Sequence, residues 1–224
     1  VLADKERASM SIKKPIVLVI LDGFGYRKEL AANAIAAAHM THFNEWLTTY
    51  PHVLLNASGE DVGLPAGTAG NSLVGHLTLG AGRVIKQPLT LLNEAIDNGS
   101  FFKDPELIQR FQQVKSAGTT LHLMGLLSDG ASHSHEKHVH ALLRMAQQQG
   151  LSKVLVHAFL DGRDVPPKSA ELYLQRLEAV FTETGVGKLA SIHGRMYAMD
   201  RSDRKEYIQQ SYAVLTQPTE VKFS

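Results

Sequence analysis

The chain has 224 residues, 44% apolar and 20% charged, with a formal net charge of +1 and no cysteine. This is a globular composition, long enough for one large domain or two smaller ones. It excludes a disulfide framework and a thiolate metal site, and with no long basic run it excludes nucleic acid as the main partner.

The first nine residues, Val1–Ser9, are mixed polar and lack the apolar core of a signal peptide. Met10, followed by Ser-Ile-Lys-Lys-Pro, reads as a natural start. Pro15–Leu21 is a continuous β-branched and apolar run, the pattern of a strand buried on both faces. It is far too short to span a bilayer, so a soluble, cytoplasmic protein with no membrane partner is expected. The run ends in Asp22-Gly23. An acid at the carboxyl end of a buried strand sits where open α/β sheets place ligands, so Asp22 reads equally as a turn cap or as a metal ligand. Asn33–Tyr50 has the period of a helix, with Phe43, Trp46, Leu47 and Tyr50 on one apolar face and Pro51 as its stop. Trp46 is therefore expected in the core. His52–Asn56 resembles a short strand, and the whole reads as the start of a doubly wound α/β unit.

Gly63–Arg83 holds six glycines and one proline around Gly70-Asn71-Ser72-Leu73. So much glycine lets backbone approach something closely or presents a polar group on a sharp turn. Ser72 precedes an apolar helical run, the layout of a nucleophile opening a helix whose free N–H groups stabilise an anion. A plain surface loop is the alternative.

Pro88–Ile96 and Pro105–Ser116 read as helices separated by Asn98-Gly99. One pattern then recurs. The strands Thr119–Leu127, Lys153–Phe159 and Lys188–Ile192 each end in a loop rich in His, Arg and Asp, and each is followed by a helix. Val139, Leu142, Leu143 and Ala146 mark the inner face of the first of these helices; Leu174, Leu177 and Phe181 mark that of Ser169–Glu183. In a parallel sheet those loops converge on one edge. There Arg163, Arg195 and Arg201 with His133 would form a site for a small, multiply anionic molecule. Each arginine alone reads as a surface ion-pair residue, and it is their recurrence at one topological place that argues for a site. His135, His138 and His140 turn different ways around a helix start, which disfavours a zinc site. His133, on the loop itself, suits a proton donor or phosphate contact. Asp164 reads as a turn residue or as the partner of a sugar-like hydroxyl.

The stretches LDGFGYR, GLPAGTAGNSLVGHLTLGAGR, HLMGLLSDGASHSH, VHAFLDGRDVPPKSA and GRMYAMDR, in that order, resemble the 2,3-bisphosphoglycerate-independent phosphoglycerate mutases from about Pro15 to the end of the chain. The resemblance implies an α/β protein of the alkaline phosphatase superfamily, a two-domain monomer whose phosphatase domain is interrupted by an inserted transferase domain. It places residues 12–86 in the first part of the metal-binding phosphatase domain and 87–224 in the transferase domain. It implies interconversion of 3- and 2-phosphoglycerate, in glycolysis and gluconeogenesis, through a phosphoserine on Ser72. It further implies two manganese ions, with Asp22 and Ser72 among their ligands, and no 2,3-bisphosphoglycerate cofactor. His133, Arg163, Asp164, Arg195 and Arg201 match phosphoglycerate-binding positions. The family is more than twice this length and its remaining metal ligands lie further along, so a fragment inactive alone is expected. A metal-dependent phosphatase on the same scaffold and a non-catalytic phosphoglycerate-binding module are the alternatives. Thr68, Ala69 and Leu73 stand where the family has Gln, Met and Glu. Leu91, His193 and Met196 replace an arginine, a small residue and an aromatic.

Overall fold

The computed structural model describes residues 15–217, and the expectations about Val1–Ser9 and Met10 lie outside them. The chain divides into two compact units at Leu55/Asn56.

The described part of the first unit, residues 15–55, holds two short helices, α1 (Ala34–Ala37) and α2 (Thr41–Thr49). Where the periodicity predicts one helix over Asn33–Tyr50, Ala38 adopts an extended conformation and interrupts it. Neither helix has a buried residue. Trp46 is 57% exposed, against the expectation that it belongs to the core, although Phe24 and Phe43 do meet edge to face at 5.0 Å. The strands expected at Pro15–Leu21 and His52–Asn56 are absent. Both segments are irregular, with Ile16 96% and Leu55 79% exposed. The physical reason is the difference between helix and strand. A helix closes its hydrogen bonds locally, whereas a strand exists only beside a partner, and no ladder involves these segments among the described residues.

In the second unit, described over residues 56–217, a 3₁₀ turn at Gly59–Val62 leads through the glycine-rich loop into α3 (Ser72–Ala81). Val62, Leu64 and Val74 form a small core of their own. The loop's glycines do allow close approach, and what approaches is the chain itself. A side chain at Gly70 would overlap the Ala57 carbonyl, and one at Gly63, whose φ is +79°, the Ile85 carbonyl.

α4 (Pro88–Asp97) and α5 (Pro105–Ala117) each begin with proline at the first turn, where its missing N–H is not needed. They precede a three-stranded parallel sheet, β1 (Leu121–Leu127), β2 (Val154–Leu160) and β3 (Lys188–Gly194), in the order β1-β2-β3. The crossovers are α6 (Glu136–Gln149) and α7 (Ala170–Thr184), each stopped by a left-handed glycine, Gly150 and Gly185. Val154, Val156 and Ala158 turn one sheet face to the main core. There they meet Leu143, Met145 and Ala146 of α6, Leu177 of α7 and Phe111 of α5. The predicted inner faces of both crossover helices pack on it. The chain closes with α8 (Arg195–Ala198) and α9 (Lys205–Thr216), where the sequence suggests a single last helix.

The opposite face of the sheet carries a chain of polar side chains among apolar ones. His122 Nδ1 lies 2.9 Å from His157 Nε2, and His157 Nδ1 lies 2.7 Å from Ser191 Oγ. Ser191 Oγ is 2.7 Å from His193 Nε2, and His193 Nδ1 is 2.8 Å from Ser211 Oγ on α9. This chain of hydrogen bonds crosses all three strands. Except for exposed His122 its members are buried, so each depends on the next for its polar partner.

Candidate functional site: an arginine cleft at the strand ends

Parallel pairing in register brings the ends of β1, β2 and β3 to one edge of the sheet. Each strand hands over to a polar residue there: Ser128 after β1, Asp161 after β2 and Arg195 after β3. A cleft of about 580 Å³ opens at this edge, lined by Asp161, Gly162, Arg163, Arg195, Met196, Met199, Asp200, Arg201, Ser202 and Arg204.

Asp161 is the centre of the arrangement. Its side chain is 1% exposed. Oδ2 accepts from the Ser128 hydroxyl at 2.6 Å. Oδ1 accepts from the backbone N–H of Arg163 and of Asp164, both at 3.0 Å, and from Arg195 Nη1 at 2.8 Å. Burial alone would push this carboxyl up. The Ser128 hydroxyl, the two N–H groups and the Arg195 guanidinium outweigh it and hold the group at about 2. The same Nη1 reaches Asp164 Oδ2 at 2.6 Å, so two carboxylates share one nitrogen of Arg195. Gly130, on the loop after β1, lies against Asp164; a Cβ there would stand 2.7 Å from that residue's own Cβ.

A second pair closes the far side. Asp200, 2% exposed, receives Arg204 through Nε at 3.0 Å and Nη2 at 2.6 Å, and it also accepts the N–H groups of Ser202 and Arg204. Tyr207 stacks beneath the Arg204 guanidinium at 4.5 Å. The charges therefore do not cancel evenly. Arg195 and Arg204 are spoken for, whereas the exposed guanidinium groups of Arg163 and Arg201 make no ion pair among the described residues. A cleft with two uncommitted guanidinium groups over a floor of locked ion pairs attracts a small polyanion.

The structure thus brings together four of the sequence-predicted residues: Arg163, Arg195 and Arg201 line the cleft and Asp164 braces Arg195. It does not bring the others to it. His133 is exposed on the loop after β1 and does not line the cleft. Ser72 is the first residue of α3, with Asn71 as the N-cap accepting from Val74 N at 3.2 Å, and it too lies outside the lining. Asp22 belongs to the first unit. Sequence reasoning missed Asp161, Ser128 and the Asp200–Arg204 pair. For Asp161 the signal was present, because it follows a buried strand directly, the feature that singled out Asp22.

Two histidines at the start of α6 have structural partners. His135 caps α6, its Nδ1 accepting from Lys137 N at 3.1 Å. His138 Nδ1 accepts from His135 N at 3.4 Å and its Nε2 meets Asn93 Oδ1 of α4 at 2.9 Å. Burial, with His135 and Lys137 nearby, pushes His138 down to about 4. Among the described residues no three His, Cys, Asp or Glu side chains converge as a metal site requires. Asp22 and Ser72 do not by themselves make a dinuclear metal centre.

Comparison with known proteins gives the family of the chain. Residues 92–223, which carry all three strands and the cleft, match the family described as BPG-independent PGAM N-terminus (iPGM_N). The chain belongs to the 2,3-bisphosphoglycerate-independent phosphoglycerate mutase family. It is 52% identical over 203 residues to the mutase of that name from Thiobacillus denitrificans, covering 91% of this chain and 40% of that protein. It is 48% identical to the mutase of Methanococcoides burtonii, covering 95% of this chain and 41% of that one. In structure it is similar to a phosphoglycerate mutase of Leishmania mexicana, solved at low cobalt concentration. The TM-score is 0.66 at 33% identity, over 87% of this chain and 37% of that one. The chain thus spans about 40% of the length of these mutases. Of the positions that the resemblance sets apart, His193 sits buried in the polar chain across the sheet and Met196 lines the cleft. Leu73 and Leu91 are exposed, at 67% and 51%.

Proposed function

We propose that this chain is the N-terminal portion of an enzyme that interconverts 3-phosphoglycerate and 2-phosphoglycerate, a monomer of the cytoplasm that needs no 2,3-bisphosphoglycerate. The observation that carries the reading is the cleft at the strand ends, with Arg163 and Arg201 uncommitted above the Arg195–Asp161–Asp164 ion pairs. Phosphoglycerate carries a phosphate and a carboxylate, and guanidinium groups grip both in two-pronged fashion. In this reading Arg163, Arg195 and Arg201 hold the anionic ends. Asp164 and His133 take the hydroxyl and phosphate contacts. Glycerate re-orients between two phosphoryl transfers while these residues hold it.

Ser72 is the residue proposed to carry the phosphoryl group between the two hydroxyls. Its place at the first position of α3 supports this, since the N–H groups of a first helical turn and the helix dipole favour an anion there. Residues 12–86 would then form the first part of a phosphatase domain of the alkaline phosphatase type, and residues 87–224 the transferase domain. The small core around Val62 and Val74 is separate from the main one, although the compact units divide at Leu55/Asn56 and not at this boundary. In the full-length enzyme a manganese pair would activate the serine hydroxyl; the cobalt in the Leishmania mexicana study is consistent with a divalent metal. The described residues do not supply that centre.

The test is an assay for conversion of 3-phosphoglycerate with manganese, on the 224-residue chain and on the same sequence carried in its full reading frame. A calorimetric titration of the short chain with 3-phosphoglycerate accompanies it. Binding by the short chain and turnover only by the longer one is the expected result. Absence of both binding and turnover would refute the reading. A non-catalytic binding module is the second reading, favoured by the position of Ser72 outside the cleft lining. Binding that survives Ser72→Ala, with no turnover in the longer protein, would support it.

A further inference from the structure

Arg195 is held by one nitrogen only. Both of its hydrogen bonds, to Asp161 Oδ1 at 2.8 Å and to Asp164 Oδ2 at 2.6 Å, leave from Nη1. Its Nε–Nη2 edge, the side of a guanidinium that grips an oxyanion in two-pronged fashion, has no hydrogen bond among the described residues, although the side chain is only 12% exposed. Asp161 is also what folds the turn beyond β2, because its Oδ1 accepts the N–H groups of Arg163 and Asp164. Its other oxygen is anchored to Ser128 at the end of β1. One buried carboxylate thus ties three strand ends together and touches, through backbone or side chain, three of the residues that make the anion site.

We propose that Asp161 is the positioning residue of the anion site: it clamps Nη1 of Arg195 so that the Nε–Nη2 edge faces the ligand, and it sets Arg163 and Asp164 in the same stroke. The proposal rests on the reading of the cleft as a phosphoglycerate site. Asp161 acts through Arg195 and the turn and need not touch substrate itself. Its oxygens divide the work. Oδ2 serves the fold through Ser128, and Oδ1 serves the site.

The oxygen-by-oxygen division makes the test specific. Ser128→Ala removes the Oδ2 partner and a long hydrogen bond that Ser128 Oγ accepts from the Gly130 N–H at 3.3 Å, and leaves every partner of Oδ1 in place. It should lower the melting temperature while leaving the affinity for 3-phosphoglycerate within about twofold. Asp161→Asn keeps the shape, and with its NH₂ turned to the Ser128 hydroxyl it keeps an acceptor at the Oδ1 position, but it removes the charge that clamps Arg195. It should weaken that affinity by about tenfold or more in a calorimetric titration of the 224-residue chain. Wild-type binding with Asp161→Asn folded and equally tight overturns the positioning role alone. No binding by the wild type overturns the site reading as well. Should Asp161→Asn fail to fold, nitrogen NMR of the wild-type guanidinium groups without ligand still decides. A clamped Arg195 gives separate, slowly exchanging Nη1 and Nη2 signals, whereas a single averaged signal refutes the clamp.

Discussion

Arginine is not one kind of residue in this cleft, and what separates the four is who already holds them. Arg204 is tied by two nitrogens to Asp200, and Arg195 by one nitrogen to two aspartates. Arg163 and Arg201 are the pair whose charge is unspent among the described residues. A guanidinium with no resident partner costs little to remove from the fold and much to remove from a bound anion. Arg163→Ala and Arg201→Ala should each weaken 3-phosphoglycerate binding by about 1.5–3 kcal/mol, the range for a hydrogen bond to a charged group, with an unchanged melting temperature. Arg204→Ala should do the reverse in kind, since it strands the buried Asp200 carboxylate and loosens the segment that carries Arg201. Titration calorimetry beside thermal melts separates the two behaviours. Neutral results for both Arg163→Ala and Arg201→Ala would remove the cleft from consideration as the anion site.

At the scale of elements, the hydrogen-bonded chain from His122 to Ser211 is what fastens α9 to the far face of the sheet. Ser211→Ala leaves His193 Nδ1 buried without its partner, and it should cost about 1–3 kcal/mol in urea unfolding. A loss under about 0.5 kcal/mol, the level of an indifferent surface change, would mean that the chain contributes nothing to holding α9. None of this was legible in the sequence. The sequence sets His122 and His157 inside two strands and His193 just past the end of the third, and which of them meet depends on register, which the chain sets three-dimensionally. The strands themselves were legible, because short, largely apolar runs between glycine and polar loops alternate with helices of clear period. So was the convergence of Arg163, Arg195 and Arg201, which follows from parallel topology alone. Pro15–Leu21 carries an equally good strand pattern and forms none. Pattern measures the fitness of a segment to be a strand, and pairing supplies the rest. Trp46 misled for the same reason: an apolar helix face is buried only when something covers it. Asp161 escaped because its significance is in four donors arriving from three loops, and the sequence shows only where the aspartate sits.

For the molecule as a whole, buried and half-buried histidines set how it meets acid. Burial pushes His138 and His140 down from 6.5 to about 4, and it also lowers His135, His157 and His193. All five are therefore neutral in the fold at a pH where the unfolded chain already binds protons on them. Between the two sets of values the unfolded state takes up more protons, so stability rises with pH and is lost as pH falls from about 6.5 toward 4. The carboxylate of Asp161 has the opposite reference. Its folded value of about 2 lies below the ordinary 3.8, so its contribution is complete above about 4 and is lost only as pH falls toward 2. Acid should thus act in two stages, first through the histidines that join α6 to α4 and α9 to the sheet, and then through the carboxylate that joins the strand ends. Urea midpoints measured at about pH 7.5, 5.5 and 4.5 should fall across the series. The fall should be shallower in His138→Gln, whose amide keeps both a donor for Asn93 and an acceptor for the His135 N–H without the titrating nitrogen. A midpoint that stays level to about pH 4.5 would mean that these histidines are solvated in the folded protein and that the packing described around α6 is looser than the hydrogen bonds imply.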